Sequence, residues 1–144
     1  MYIPVNKEDF PFHRQQTDNE CALSCLIMIS DFYGKPTLSL DYLRTIIPVD
    51  HQGASIHSVV KAIKILGYKA LVVSTLYVPL LEKASLPCII LWKNHHYVII
   101  YKIDGGLVYL ADPNAGLLAM TLKDFLSLWE DAEAKGWIIL LAAD

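Results

Sequence analysis

The chain has no long hydrophobic run, no block of basic residues and no even set of cysteines, and each absence removes a class of function. A membrane-spanning helix needs roughly 20 consecutive apolar residues. The longest apolar run here, Trp137 to Ala143, is the length of a strand. Met1 to Asp9 contains no basic stretch leading into an apolar core, so no signal peptide is read there. The formal charge is −3 and the lysines and arginines are scattered, which argues against nucleic acid or an anionic membrane surface as the main partner. Cys21, Cys25 and Cys88 are an odd number in a short chain, so they do not read as a disulfide framework and fit a reducing compartment, the cytoplasm. With 54% hydrophobic and 19% charged residues among 144, the composition suits one well-buried domain spanning residues 1–144.

What is present is a polar stretch that turns abruptly into an apolar helix. Gln15-Gln16-Thr17-Asp18-Asn19-Glu20 leads into Cys21-Ala22-Leu23-Ser24-Cys25-Leu26-Ile27-Met28-Ile29. Asp18 or Asn19 is placed to cap this helix. Ala22, Cys25, Leu26, Ile29 and Tyr33 recur at helical spacing as its buried face, and Gly34 ends it. Residues 1–14, broken by Pro4 and Pro11, read as irregular. Ser39 caps a second helix, Leu40 to Ile47, and Ser55 begins a third that Gly67 closes. From Tyr68 the period changes. Strands are expected at Tyr68–Ser74, Cys88–Trp92, His96–Ile103, Leu107–Ala111, Leu117–Met120 and Trp137–Ala143, with a helical turn at Val78–Ala84. Asp104-Gly105-Gly106 signals a hairpin, and Thr121 opens a last helix. Helices first and an antiparallel sheet after them make an α+β fold.

Cys21 stands at a helix N-terminus, against the positive end of the macrodipole, a placement that favours the nucleophilic thiolate. It needs a base, and the chain offers His13, His51, His57, His95 and His96. His95-His96 opens an apolar strand, and only one of two successive residues can face a given cleft; parity alone leaves open which. A base is better oriented by a third group. Asp112 closes the strand after the Asp-Gly-Gly turn, and counting back from that turn brings it to the same end of the hairpin as the histidines. The Cys21 N–H and a side-chain amide from Gln15 or Gln16 are candidates for an oxyanion hole. The i, i+4 spacing of Cys21 and Cys25, with no second pair, is not a zinc-ligand pattern, so neither metal nor cofactor is expected. Cys25 and Cys88 read as core.

These residues resemble the double-glycine leader peptidases, the N-terminal cysteine peptidase domains of bacteriocin-processing ABC exporters. The likeness runs from Gln15…Glu20-Cys21 through Tyr33-Gly34-Lys35, then Leu86-Pro87-Cys88 to Trp92, His96-Tyr97-Val98-Ile99-Ile100 and Asp112-Pro113-Asn114-Ala115-Gly116, in order. The resemblance implies a papain-like fold with Cys21 as nucleophile, His96 as base, Asp112 as its orienting carboxylate and Gln15, six positions before the cysteine, at the oxyanion. It implies cleavage of a secreted precursor peptide after a Gly-Gly pair. It also implies a cytoplasmic position on a membrane transporter, with transmembrane and ATPase parts on the same full-length chain. Ala22 stands where the family usually has Gly. Tyr42, Leu43, Ile46, Tyr68 and Tyr77 are candidates for an apolar groove that holds the leader as an amphipathic helix. The alternative is a docking domain that binds leaders without cutting them.

Overall fold

The structure is a computed structural model that describes residues 3–77 and 85–143. The expected turn at Val78–Ala84 lies outside the described residues. In chain order the elements are β1 (Ile3–Pro4), α1 (Cys21–Phe32), α2 (Leu40–Ile46), α3 (Ile56–Ile65), β2 (Tyr68–Thr75), β3 (Cys88–Leu91), β4 (Tyr97–Asp104), β5 (Leu107–Asp112), β6 (Gly116–Thr121), α4 (Leu122–Trp129) and β7 (Gly136–Ala143). The strands form one antiparallel sheet in the order β1-β6-β5-β4-β3-β7-β2. β3 to β6 run as consecutive hairpins. β7, last in sequence, inserts between β3 and β2, so the first long strand becomes an edge.

Both faces of the sheet are covered, which is why its central strands read as unbroken apolar runs. On β4, Tyr97 and Ile99 join Leu23, Leu26, Met28 and Ile29 of α1, while Val98 and Ile100 join Phe125 and Trp129 of α4. Cys25 lies in the first of these cores and Cys88 in the second. Residues Cys21 to Ser30 of α1 are all buried, more than the single stripe expected. The reason is that α2 packs on its outer side and Phe10 of the N-terminal arm stacks on Phe32. Each fully buried Leu, Ile or Met contributes about 1.5–3 kcal/mol, so the start of α1 rests on a firmly held rod.

Two local expectations change. The residue at the α1 cap is Glu20, not Asp18 or Asn19, and its side chain makes no capping bond. Its carboxylate is instead gripped by Arg44 of α2 through Nε at 2.7 Å and Nη2 at 2.9 Å, and this partner holds its pKa below the usual carboxylate range. The irregular N-terminal arm contributes a short strand, β1, to the sheet edge at β6. Ser39, Ser55 and Thr121 cap α2, α3 and α4 as expected, each accepting a backbone N–H three residues on.

At Gly136 the sheet comes so close to α4 that an added methyl would overlap the Trp129 indole, whose Nε1–H donates to the Trp137 carbonyl at 3.0 Å. Gly136→Ala is therefore expected to destabilise the protein by about 1–3 kcal/mol, read as a lower urea midpoint at unchanged slope.

Candidate active site

Three elements end at one place. α1 begins at Cys21, β4 begins just after His96, and β5 ends at Asp112. The His96 Nε2 lies 2.6 Å from Asp112 Oδ1. The Cys21 side chain is the other group that acts on the ring, and with Nε2 engaged by Asp112, Nδ1 is the nitrogen left to face the thiol. The Tyr97 N–H donates to Cys21 Sγ at 3.4 Å. Burial works against the charged imidazolium, but the bonds to Asp112 and Cys21 outweigh it, and the His96 pKa is pushed up to about 9. Asp112 also accepts the Asn114 N–H at 2.9 Å, so one carboxylate orients the imidazole and fixes the turn after β5.

The choice between the two histidines is made inside the hairpin. Gly105 and Gly106, both at positive φ, form the tight turn, and Asp104 pairs with Leu107. That register holds as far as Lys102↔Tyr109. Tyr101 is then an extra residue, and beyond it the pairs are Ile100↔Leu110 and Ile99↔Ala111. Continued one step, the shifted register sets Asp112 opposite Val98, in phase with His96. Without the bulge it would lie opposite Ile99, in phase with His95. His95 is exposed in the Trp92–His96 turn at φ 65°, and it makes no bond to Asp112.

Cys21 is 4% exposed, more covered than its polar lead-in suggests, and it lines a cavity of about 520 Å³ with Gln15, Asn19, His96 and Asp112. Gln15 is tied down by its N–H to the Pro113 carbonyl at 3.0 Å and by Nε2 to the Thr17 carbonyl at 2.9 Å, leaving a second amide hydrogen. Gln16 is exposed and does not line the cavity. Ala22 is buried and away from it. His51 lines the cavity from an exposed loop, His57 is exposed, and His13 meets the Ser24 hydroxyl at 3.2 Å. Burial drives the other two thiols up, Cys25 well above its ordinary value and Cys88 to about 12, which keeps both protonated. Among the described residues no cluster of His, Cys, Asp and Glu is arranged to hold a metal.

A second cavity, of about 570 Å³, adjoins the first and shares Gln52, Gly53, Trp92 and His95 with it. Its apolar wall includes Ala54, Ile56, Leu91 and Trp137, the last 47% exposed. Pattern alone assigns Ala54 to a loop, Ile56 to the α3 stripe and Leu91 and Trp137 to strands, and only the assembled fold shows them around an opening. The groove candidates from the sequence line neither cavity. Leu43 is fully buried on α2, Tyr68 packs by Tyr33 and Tyr77 by Phe125, Ile46 is half-buried, and Tyr42 is exposed.

The model of the peptidase C39 family matches residues 9–135. The chain is 30% identical over 120 residues to the lactococcin-G-processing and transport ATP-binding protein LagD of Lactococcus lactis, covering 80% of this chain and 17% of that protein. It is 26% identical over 127 residues to the colicin V secretion/processing ATP-binding protein CvaB of Escherichia coli, covering 88% and 18%. The chain thus spans under a fifth of the length of these curated relatives. Its fold matches a double glycine motif protease from an AMS/PCAT transporter, solved with a leader peptide, at a TM-score of 0.86, 22% identity and coverage of 99% and 98%. The peptidase domain of Streptococcus ComA, a bi-functional ABC transporter, follows at 0.83, 22%, 94% and 99%. The papain-like α+β fold implied by the resemblance is the observed one.

Because its bond partners raise the His96 pKa above that of a free imidazole, they stabilise the folded state fully below about pH 6.5, and this contribution is lost as the pH rises through about 9. Asp112→Asn removes the carboxylate. An NMR titration of the His96 ring is expected to show a midpoint near 9 in the parent and a lower one in the variant. Equal midpoints would contradict this assignment of the shift.

Proposed function

The chain belongs to the peptidase C39 family, and on that premise we propose that it is a cysteine endopeptidase that removes the leader of a secreted precursor peptide after a Gly-Gly pair. The observation that carries this reading is the single imidazole held between Asp112, at 2.6 Å, and the Cys21 thiol at the start of α1. With its proton on the ring, His96 stabilises the neighbouring thiolate. Cys21 Sγ attacks the carbonyl carbon of the second glycine, and the carbonyl oxygen becomes an oxyanion. The Cys21 N–H, one of the helix-start donors without an intrahelical acceptor, and the Gln15 amide receive it. His96 passes its proton to the leaving amine, the C–N bond breaks, and a Cys21 thioester of the leader remains. Water then gives a proton back to His96 as its oxygen attacks the thioester; the C–S bond breaks, the Cys21 thiolate leaves, and the leader departs as a carboxylic acid that ionises in solvent. Asp112 keeps the ring aligned through both steps.

The apolar cavity with Ile56, Leu91 and Trp137 suits the hydrophobic face of a leader helix, and the shared rim of the two cavities suits residues without side chains. The names of the relatives join processing to ATP-dependent transport. The corresponding place for this chain is the cytoplasmic side of a cell-membrane ABC exporter, with transmembrane and ATPase parts as partners and the precursor peptide as cargo. The presence of Cys21, His96 and Asp112 in bonding arrangement favours cutting over docking alone.

Mass spectrometry of several Gly-Gly precursor peptides incubated with the protein is expected to show one cut, after the second glycine, absent with Cys21→Ala. Gln15→Ala is expected to lower kcat by about a hundredfold, the cost of one oxyanion donor, with little change in KM. Binding of leaders without any cut, by protein whose Cys21 is reduced, would replace this reading with the docking one.

A further inference from the structure

The rim where the two cavities meet has one rigid wall and one hung wall. The rigid wall is the turn at Trp92–His95. It is closed by the Trp92 N–H to the His96 carbonyl at 2.9 Å and the His95 N–H to the Trp92 carbonyl at 3.0 Å, with the Trp92 ring packed on Phe125. The opposite wall is the loop 49–54, which contributes Gln52 and Gly53 to both cavities. Within the loop, Asp50 and Gly53 exchange backbone hydrogen bonds at 3.2 and 3.0 Å, and Gly53 sits at φ +95°. Among the described residues, two side-chain hydrogen bonds reach this loop from outside. Asn19 Nδ2 donates to the Asp50 carbonyl at 2.9 Å, and the Tyr97 hydroxyl donates to the Ala54 carbonyl at 2.9 Å.

The origins of these two bonds matter. Asn19 stands two residues before the nucleophile, and Tyr97 directly follows the base and gives its own N–H to Cys21 Sγ. The loop is therefore referenced at both ends to the reacting groups rather than to the distant core. Tyr97 is 2% exposed, and burial raises its pKa far above that of a free phenol, so its hydroxyl remains a donor at any working pH. From this geometry we infer that Asn19 and Tyr97 are specificity-determining residues. Their two bonds set the width of the passage beside Cys21 and so the demand for glycine at the residues preceding the cut. This inference rests on the peptidase reading above. It makes Tyr97 a positioning residue through its hydroxyl, separately from its backbone contact to the thiol.

The test compares kcat/KM for a precursor peptide cut at a Gly-Gly junction, with several residues following it, with that for the same precursor carrying Gly-Ala at the junction, in the parent, Tyr97→Phe, Asn19→Ala and the double variant. Tyr97→Phe keeps the ring and the N–H to Cys21. The preference for Gly-Gly is expected to fall roughly five- to tenfold for each lost hydrogen bond, and further in the double variant. The rate of Cys21 alkylation by iodoacetamide, which is too small to sense the passage, is expected to stay unchanged. Amide exchange at Gly53, read without substrate, is expected to quicken in both single variants. An unchanged preference ratio in a protein that discriminates normally, or unchanged exchange at Gly53, overturns the tether alone. Altered alkylation in step with the cleavage rates also overturns it, since the residues would then act on the nucleophile. A parent protein that cuts neither peptide overturns the peptidase reading and the specificity role with it.

Discussion

The site depends on one short hydrogen bond, from His96 to Asp112, thrown across the end of a two-stranded hairpin. A histidine and a carboxylate sixteen residues apart meet only if the strands between them are in the right register, and here the tight turn by itself gives the wrong phase. The extra residue at Tyr101 corrects it. A bulge costs ladder regularity and must be supported by what packs on it. Tyr101 stacks on Phe10 at 5.1 Å and lies edge-on to Tyr109 at 6.1 Å, so the N-terminal arm helps hold the irregularity in place. Phe10 in turn stacks on Phe32 at the far end of α1. The arm thus braces both the hairpin that carries His96 and the helix that carries Cys21.

The three cysteines show how placement alone divides their chemistry. Cys25 and Cys88 sit on opposite faces of the sheet, each wholly buried, and the low dielectric keeps them as thiols. Cys21 lies one turn before Cys25 on the same helix, yet it opens on a cavity with His96 beside it. Moving one turn along α1 takes a cysteine from the core to the wall of a cavity. The remaining buried charge at the helix start, Glu20, is neutralised by Arg44 in two short bonds, so it does not stand unpaired next to Cys21.

Much of this was legible from residues 15–29, 86–104 and 107–116. Polar-to-apolar transitions, serine and threonine caps and the Asp-Gly-Gly turn are local signals, and their elements appear where local chemistry puts them. The six-position spacing implied by the resemblance singles out Gln15, and of the two glutamines Gln15 is the one that lines the cavity. Features that depend on tertiary assembly were not legible. The bulge at Tyr101 leaves no mark in an apolar run whose two faces are both buried, so hairpin counting could not separate His95 from His96. At the helix cap, Arg44, twenty-four residues away, takes up the Glu20 carboxylate, and the cap carries no side-chain bond. The apolar opening near Cys21 draws Ile56, Leu91 and Trp137 from three separate elements, while Leu43, Tyr68 and Tyr77 turned inward.

Cys21 alone, aligned with His96 and Asp112, is proposed to meet the carbonyl of the second glycine of a double-glycine leader. The most direct measurement is covalent capture with a leader peptide ending in a Gly-Gly chloromethyl ketone, followed by peptide mapping of the modified protein. The account predicts one equivalent of adduct on Cys21, with Cys25 and Cys88 untouched. Adduct on either buried cysteine, or none on a Cys21 that iodoacetamide still alkylates, would contradict it.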